Sequence, residues 1–239
     1  MNRVYWVRHG ENRANLTKEF SYKRIDYPLT PKGIFQAEQT ADYFAEQSVD
    51  AVFSSPLKRA QQTAGMIGAR LGLPVTVIEE LREINVGNLE GGVPTPENWN
   101  THDRILISWW RGERELAFPD GENGFELIER VQTGLNRILT GREDQNLIVV
   151  SHIGCLLMSL AGLVPAVQNG WLTAHGFGNC AFTEFLFEQR AGRISGQVSR
   201  WGVSGHLSGF ASRQEHLVSL VHGVDISPDR PIGMAEKTV

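Results

Sequence analysis

The sequence alternates between short apolar runs and longer segments in which apolar residues recur at helical spacing. Residues 4–7 are β-rich and apolar on both faces, which is typical of a strand buried in a parallel sheet. Thr30 and Pro31 then indicate a helix start, because threonine caps helices and proline suits their first position. Apolar residues follow at helical spacing across 34–44. The chain is therefore predicted to begin with a buried strand and an amphipathic helix.

The same alternation continues through the middle of the chain. Residues 50–54 are predicted to form a second strand, and Ser55-Pro56 repeats the cap-plus-proline signal before a second helix. Residues 75–78 are predicted to form a third strand. The segment 87–124 is rich in Gly, Pro and Trp. We interpret it as an insertion that contains one helix around 103–111.

The last part of the predicted core contains the strongest patterns. They are a helix over 124–139, a strand over 146–151, an apolar helix over 154–163, and strands near 181–187 and 193–198. Strands that alternate with helices favour a parallel sheet covered on both faces. We predict an α/β fold in one domain, with a mostly parallel central sheet and helices on both faces. In such a sheet the ligand binds beyond the carboxyl ends of the strands.

The length of 239 residues is enough for one domain with a full core. We assign residues 1–205 to this domain, with the insertion at about 87–124. Residues 206–239 are assigned to a C-terminal extension that we expect to be partly mobile.

Charge and composition exclude several classes of function. The net charge of −4 provides no positive field for nucleic acid or an anionic membrane. No apolar run reaches the roughly 18 residues that a membrane span requires. The two cysteines, Cys155 and Cys180, match no zinc motif and no disulfide framework. We therefore expect reduced thiols in a cytoplasmic protein, and the sequence leaves open whether it forms a homodimer.

Chemically active side chains stand at the positions where this sheet would place a ligand. Arg8 and His9 follow the first strand, Arg59 the second, Glu83 the third, and His152 a later one. Phosphoryl transfer requires these groups: imidazole can attack phosphorus, arginine holds phosphate oxygens, and an acid protonates the leaving oxygen. The pattern predicts a phosphoryl-transfer site at the carboxyl edge of the sheet.

The motifs around these residues resemble those of a known family. Val7-Arg8-His9-Gly10-Glu11 resembles the signature of the histidine phosphatase superfamily, which includes cofactor-dependent phosphoglycerate mutase. The segment 54–64 resembles that family's second arginine motif, Leu81-Arg82-Glu83 its acid motif, and Ser151-His152-Ile153-Gly154 its second-histidine motif. Order and spacing agree from residue 4 to about residue 188, so the resemblance covers most of the chain.

The resemblance implies a catalytic role for several residues. His9 would attack phosphorus and form phosphohistidine, with Arg8, Arg59 and His152 around the equatorial oxygens. Glu83 would protonate the leaving oxygen and later help to activate water. No metal and no other cofactor belongs to this mechanism, and the implied partner is a small-molecule phosphomonoester.

Three further residues are implied at the phosphate by the same motifs. Asn15 matches an asparagine of the family's longer signature, and Gly10 and Ile153 belong to the two histidine motifs. Gly10 and Gly154 are expected to let the backbone approach the phosphate closely.

Three functions stay open at this point. Hydrolysis is favoured because residues 118–123 resemble the Pro-x-Gly-Glu-Ser pattern of the phosphatase branch, with Asn123 in place of serine. A phosphoglycerate mutase or bisphosphoglycerate-type phosphotransferase is the alternative, although Arg104, Arg111 and Arg114 do not form the paired-arginine stretch of the mutases. The four intact catalytic positions argue against a catalytically silent binding module. We predict a phosphomonoesterase.

Most other histidines and tryptophans are interpreted as structural. His102 and the histidines near the C-terminus are expected at the surface or in the core. His175 lies in a Gly-rich loop and is a candidate for the pocket. Trp109 and Trp110 are assigned to core or lid packing. With Trp99, they also suggest an apolar or planar leaving group.

Overall fold

The computed structural model describes residues 1–92, 94–160, 164, 177–190 and 193–213. Within these residues the strands are β1 (Asn2–Arg8), β2 (Ala51–Ser54), β3 (Val75–Val77), β4 (Asn146–Ser151), β5 (Phe182–Arg190) and β6 (Arg193–Val203). The α-helices are α1 (Arg13–Thr17), α2 (Pro31–Ala45), α3 (Lys58–Leu71), α4 (Pro96–Trp110), α5 (Gly124–Leu139) and α6 (Ile153–Leu160). Two short 3-10 helices, Glu79–Leu81 and Gly87–Leu89, lie between β3 and α4.

The strands form one mostly parallel sheet, which confirms the predicted α/β fold. Their order is β3-β2-β4-β1-β5-β6. The pairs β2–β3, β2–β4 and β1–β4 are parallel, whereas β5 is antiparallel to both β1 and β6. Among the described strands, β5 therefore runs against the other five. Parallel neighbours require crossover connections, and the helices between the strands provide them.

Helices cover the sheet on both faces because alternate residues of each central strand point to opposite sides. Tyr5 and Val7 pack with Phe44 of α2 and with residues of α3. Val4 and Trp6 pack in the larger cluster, which contains residues of α4, α5 and α6. A strand buried on both faces needs apolar residues at successive positions, which is why β1 has no alternating pattern.

Two helix starts follow the same local signal. Thr30 accepts a hydrogen bond from the backbone N–H of Gly33 at 3.0 Å, with a proline in the first turn of α2. Thr95 does the same at α4, where it accepts from the N–H of Asn98 at 3.2 Å. The insertion helix therefore begins at Pro96, and the predicted start near residue 103 was wrong.

The predicted helix cap at Ser55 is also wrong. Helix α3 begins at Lys58, and its N-cap residue, Leu57, makes no side-chain capping bond. The hydroxyl of Ser55 instead lies 2.7 Å from a ring nitrogen of His152. A partner far away in the sequence has replaced the local capping interaction.

Helices α1 and α6 lie beside the two histidine motifs. Helix α1 was not predicted, because its five residues are too few to show a periodic apolar pattern. It begins with a capping box in which the side chains of Asn12 and Asn15 each accept the other's backbone N–H. Helix α6 begins at Ile153, directly after His152. Residues 161–163 of the predicted helix lie outside the described residues.

Residues 204–213 pack against α2, although the sequence analysis placed residues from 206 onward in the C-terminal extension. The side chain of Gln36 donates to the carbonyl of Ala211 at 3.1 Å. Nε2 of His206 lies 3.1 Å from the hydroxyl of Thr40. Leu207 is buried with this segment. The rest of the predicted extension, 214–239, lies outside the described residues.

Candidate active site

The carboxyl ends of the parallel strands bring the predicted side chains together. Arg8 is the last residue of β1, His9 follows it, Arg59 lies in the first turn of α3, and His152 lies between β4 and α6. Arg8 is 6% exposed and the other three are less exposed still. Arg8, His9, Arg59 and Glu83 line one cavity with a volume of about 180 Å³. The sequence therefore located these residues correctly at one edge of the sheet.

The imidazole of His9 is held in one tautomer. Its Nδ1 lies 2.7 Å from the carbonyl oxygen of Gly10, so Nδ1 carries the proton and donates it. Its Nε2 accepts a hydrogen bond from Nε of Arg59 at 3.1 Å. Burial, followed by the charges of Arg59 and Arg8, lowers the pKa of His9 well below its ordinary value of 6.5. The ring is thus neutral at neutral pH, with its lone pair on Nε2.

His152 stands beside His9, with 5.1 Å between the ring centroids. Its Nδ1 accepts from a terminal N–H of Arg59 at 3.1 Å, so its Nε2 carries the proton and donates to Ser55. Burial and the charge of Arg59 lower the pKa of His152 well below 6.5. One guanidinium group therefore orients both imidazoles.

Two arginines supply buried positive charge. Arg59 donates to the hydroxyl and to the carbonyl of Ser21, both at 2.8 Å. Arg8 donates to the carbonyl of Phe177, but its buried Nε has no partner among the described residues. Burial lowers the pKa of each arginine to about 10, partly offset by Glu83, so both stay charged at neutral pH. A buried, unpaired guanidinium N–H indicates an anion-binding site.

The carboxylate of Glu83 is held at the start of α6. It accepts backbone N–H groups from Ile84 at 2.9 Å, Cys155 at 2.6 Å and Gly154 at 3.2 Å. The positive end of the helix dipole and these donors fix its position at the cavity wall. Glu83 is therefore the carboxylate of its segment that lies beside the histidine cluster.

The neighbouring carboxylates have other partners. Glu79 is exposed and pairs with Arg82 at the surface. Glu80 pairs with Arg137 at 2.9 Å. Glu90 is buried, but it binds the backbone of residues 22–25 and does not line the described cavity. Of these carboxylates, Glu83, which the acid motif indicated, is thus the one that lies at the described cavity.

The Glu83 segment is clamped by Arg130 of α5. Arg130 donates to the carbonyls of Glu80 at 2.7 Å, Arg82 at 2.9 Å and Glu83 at 3.3 Å. Its guanidinium also pairs with Glu122 at 2.7 Å. Glu122 also accepts the backbone N–H of Asn85 at 2.8 Å, so this pair ties the segment of the Pro-x-Gly-Glu pattern to the backbone on both sides of Glu83.

Asn123, which departs from the family's usual serine, caps α5. Its side chain accepts the backbone N–H groups of Phe125 at 2.9 Å and Glu126 at 3.0 Å, and Glu126 completes a capping box. Asparagine and serine are comparable N-caps, so the departure leaves the helix start intact.

The glycines of the histidine motifs have a packing role that the sequence analysis did not foresee. A Cβ atom at Gly10 would stand 2.5 Å from the carbonyl oxygen of Gly33 in α2. A Cβ atom at Gly154 would stand 2.8 Å from a carboxylate oxygen of Glu83. Gly10 therefore requires glycine, because the contact is with backbone, whereas a Cβ atom at Gly154 would displace the carboxylate of Glu83 from its position at the cavity wall.

Asn15 and Ile153 also line the cavity. The side-chain oxygen of Asn15 accepts from the amide of Asn179 at 3.2 Å, and this amide also donates to the carbonyl of His9 at 3.0 Å. Of the three further residues implied at the phosphate, Asn15 and Ile153 thus line the cavity, and Gly10 lies in the backbone outside its lining.

Sequence reasoning missed part of the cavity lining. Phe20 and His102 line it together with Trp99, although His102 had been assigned to the surface or core. The available signal was the spacing of Trp99, His102 and Leu106, which places them on one face of α4. Trp109 packs in the core, as predicted. His175 lies outside the described residues.

Three further features concern the described part of the chain. No group of three or more His, Cys, Asp and Glu side chains there could hold a metal ion. Both cysteines are buried free thiols, and burial raises the pKa of each to about 12. No helix among these residues combines the length and apolarity needed to cross a bilayer.

Comparison with known sequences identifies the family. The profile of the histidine phosphatase superfamily (branch 1) matches residues 4–199. The chain belongs to this superfamily of enzymes, as its four motifs predicted. A probable phosphoglycerate mutase GpmB from Escherichia fergusonii is 32% identical over 225 residues, which cover 91% of this chain and 95% of that protein. An uncharacterized phosphatase PhoE from Bacillus subtilis is 30% identical over 213 residues, 88% and 99% of the two chains.

Solved structures give the same family. A mycobacterial glucosyl-3-phosphoglycerate phosphatase superposes with a TM-score of 0.69 at 25% identity, over 84% of this chain and 99% of that chain. A phosphoserine phosphatase from Entamoeba histolytica, in complex with 3-phosphoglyceric acid, superposes with a TM-score of 0.68 at 26% identity, over 87% and 100%. The names of the relatives divide between phosphatases and mutases.

Proposed function

We propose that the protein is a metal-independent phosphomonoesterase that transfers the phosphoryl group of its substrate to His9 and then to water. The observation that carries this proposal is the neutral imidazole of His9, fixed by Gly10 and flanked by the buried guanidinium groups of Arg8 and Arg59. Phosphoryl transfer needs a nucleophile in line with the leaving oxygen and positive charge around the equatorial oxygens. This cluster can supply both.

Substrate binding would begin with an exchange of hydrogen-bond acceptors on Arg59. A phosphate oxygen accepts from guanidinium more strongly than a neutral ring nitrogen does. The N–H groups that Arg59 directs at His9 and His152 would therefore move to the phosphate, joined by the unpartnered Nε–H of Arg8. The exchange would free the lone pair on Nε2 of His9.

In the first chemical step, Nε2 of His9 forms a bond to phosphorus while the bond from phosphorus to the alcohol oxygen breaks. The protonated carboxyl group of Glu83 gives its proton to the leaving oxygen. The products of the step are the free alcohol, phosphohistidine and the Glu83 carboxylate.

In the second step, water attacks the phosphorus of phosphohistidine. Glu83 takes the proton of the water, the bond from phosphorus to nitrogen breaks, and its electron pair returns to Nε2 of His9. Inorganic phosphate then leaves. His152 would donate to an equatorial oxygen from Nδ1 once Arg59 has turned to the phosphate, in the tautomer whose Nε2 accepts from the hydroxyl of Ser55. Asn15 and Ile153 would form the surrounding wall, with Gly10 in the backbone behind it.

Mutase activity is the second candidate, because several relatives are named probable phosphoglycerate mutases. A phosphoglycerate mutase must hold a carboxylate and a second phosphate. The insertion's arginines are absent from the described cavity lining, where Lys18 is the one cation besides Arg8 and Arg59. Arg104 and Arg111 are exposed. The scarcity of positive charge around the alcohol part of the substrate favours hydrolysis.

The test is phosphate release from a panel of phosphomonoesters, beside conversion of 3-phosphoglycerate with and without 2,3-bisphosphoglycerate. We expect metal-independent release that persists in EDTA and disappears in His9→Ala, with the variant's melting temperature close to that of the wild type. Isomerisation of 3-phosphoglycerate without phosphate release would establish the mutase instead. Activity retained by His9→Ala would refute the phosphohistidine mechanism.

A further inference from the structure

One part of the cavity lining is aromatic. We call Phe20, Trp99 and His102 the aromatic wall. Trp99 and His102 lie on successive turns of α4, and Phe20 comes from the segment after α1. The ring centroid of Phe20 lies 4.5 Å from that of Trp99 and 5.2 Å from that of His102, which lies 5.1 Å from Trp99. The three rings therefore form one contact group.

The aromatic wall belongs to the same cavity as the histidine and arginine cluster. If the phosphate binds at that cluster, the alcohol part of the substrate must occupy the rest of the cavity. Apolar side chains continue the lining there, among them Ile84, Val86 and Leu106. A cavity of this kind, mostly apolar with a few placed polar groups, is typical of small-molecule sites.

His102 is the polar group of the wall. Its Nδ1 lies 2.9 Å from the carboxylate of Asp103, so Nδ1 carries a proton and the tautomer is fixed. The described residues offer no hydrogen-bond partner to Nε2 of His102. A ring that is 8% exposed, oriented by a buried carboxylate and set in a cavity wall is placed to bind a ligand through Nε2.

The charged residues near the aromatic wall indicate which charge the bound alcohol can carry. Lys18, Glu11 and Glu19 are the charged lining residues besides Arg8, Arg59 and Glu83 within the described part of the cavity. Among the described lining residues, no arginine stands beside the aromatic wall to hold a second anionic group by a bidentate contact.

We propose that the aromatic wall binds the alcohol part of the substrate, and that the substrates are phosphomonoesters of planar, uncharged alcohols. His102, oriented by Asp103, accepts a hydrogen bond at Nε2 from a hydroxyl group on the planar alcohol. The inference rests on the proposed function, because it takes the histidine and arginine cluster as the phosphate site.

The test uses esters of primary alcohols, so that leaving-group basicity stays similar: benzyl phosphate, 3-hydroxybenzyl phosphate and glycerol 3-phosphate. The expected kcat/KM for benzyl phosphate is about tenfold above that for glycerol 3-phosphate, since aromatic contacts add to the area buried. Trp99→Ala should remove most of this preference, because it should lower kcat/KM for benzyl phosphate far more than kcat/KM for glycerol 3-phosphate. Trp110→Ala is the matched control, because Trp110 lies on the same helix but outside the cavity lining.

His102→Phe keeps an aromatic ring at this position and removes the ring nitrogen that would accept the hydrogen bond. The variant should still hydrolyse benzyl phosphate, but the advantage of 3-hydroxybenzyl phosphate over benzyl phosphate should disappear, mainly through KM. If His102 were only a packing residue, the ratio between these two substrates would not change. An unchanged ratio would overturn the role of His102.

Binding of benzylphosphonate and methylphosphonate, measured by calorimetry, separates this inference from the proposed hydrolysis. Tighter binding of benzylphosphonate by about tenfold, lost in Trp99→Ala, supports the aromatic wall even if no ester is hydrolysed. Hydrolysis with equal affinity for both phosphonates would overturn the inference and leave the phosphatase standing. Failure of both phosphonates to bind would overturn the inference as well.

Discussion

Glu90 binds the backbone of residues 22–25, which follow Ser21, the hydrogen-bond partner of Arg59. It is 4% exposed, and one carboxylate oxygen accepts the backbone N–H groups of residues 22–25 at 2.6, 2.5, 2.9 and 3.1 Å. The adjacent Ser21 accepts two hydrogen bonds from Arg59. Although Glu90 lies outside the described cavity lining, Glu90→Gln should therefore disturb the two histidines through Ser21 and Arg59.

The magnitude follows from the loss of charge. A hydrogen bond to a charged group contributes about 1.5–3 kcal/mol, and one oxygen has two lone pairs, so the carboxylate stabilises the segment by about 3–6 kcal/mol. Glutamine keeps a neutral acceptor, and charge-assisted bonds are roughly twice as strong as neutral ones. Glu90→Gln should therefore cost about 1.5–3 kcal/mol. For a chain of this size, each kcal/mol lowers the melting temperature by about 2–4 °C.

The assay has two readouts, because the cost can appear as global or as local unfolding. Thermal melting measures the global part. The loss of kcat/KM for phosphate release measures the displacement of Arg59, and we expect this loss to be about tenfold or more. Glu79→Gln is the control, since Glu79 is an exposed carboxylate of a nearby segment whose side chain is 65% accessible. A Glu90→Gln variant that matches the wild type within about 2 °C and threefold in kcat/KM would refute the reasoning.

Three further predictions concern proton transfer and pH. Glu83→Gln should lower kcat/KM for alkyl phosphates by about 10²–10⁴-fold but for p-nitrophenyl phosphate far less, because nitrophenolate scarcely needs a proton; equal losses in kcat/KM, which reports the first step alone, would assign the acid elsewhere. Burial and two arginines lower the pKa of His9 well below 6.5. The fall of kcat/KM on the acid side, corrected for ionisation of the substrate, should therefore occur below pH 6.5, and a fall above that pH would contradict the assignment of His9. Burial lowers the pKa of His206 to about 4, so its contribution to stability is present above pH 6.5 and is lost as the pH falls toward 4. The unfolding free energy, measured with denaturant, should therefore fall less between pH 6.5 and pH 4 in His206→Phe than in the wild type, by about 1 kcal/mol after allowance for the partial exposure of the ring. An equal fall in both proteins would contradict this prediction.

Local patterns predicted most of the fold. The predicted helix over 124–139 matches α5 at both ends, because a long amphipathic stripe and a capping signal lie within one segment. The predicted strand over 146–151 matches β4 equally well. Errors occurred where a segment was short, as in α1, or where a known signal at Thr95 was overlooked.

Motif order likewise predicted which residues would meet at the carboxyl edge. Parallel strands place the residues that follow them at the same edge, so Arg8, His9, Arg59 and His152 could be grouped before any contact was known. Their roles in catalysis stay a proposal, and the experiments above address them.

The tertiary structure alone decided the remaining features, because each depends on distances between residues far apart in the chain. It holds the carboxylate of Glu83 against the backbone of α6, and it brings the hydroxyl of Ser55 to His152. It also brought Phe20 against Trp99 and His102. Periodicity and motif spacing describe where a residue lies along its own element, whereas packing determines which distant side chain it touches.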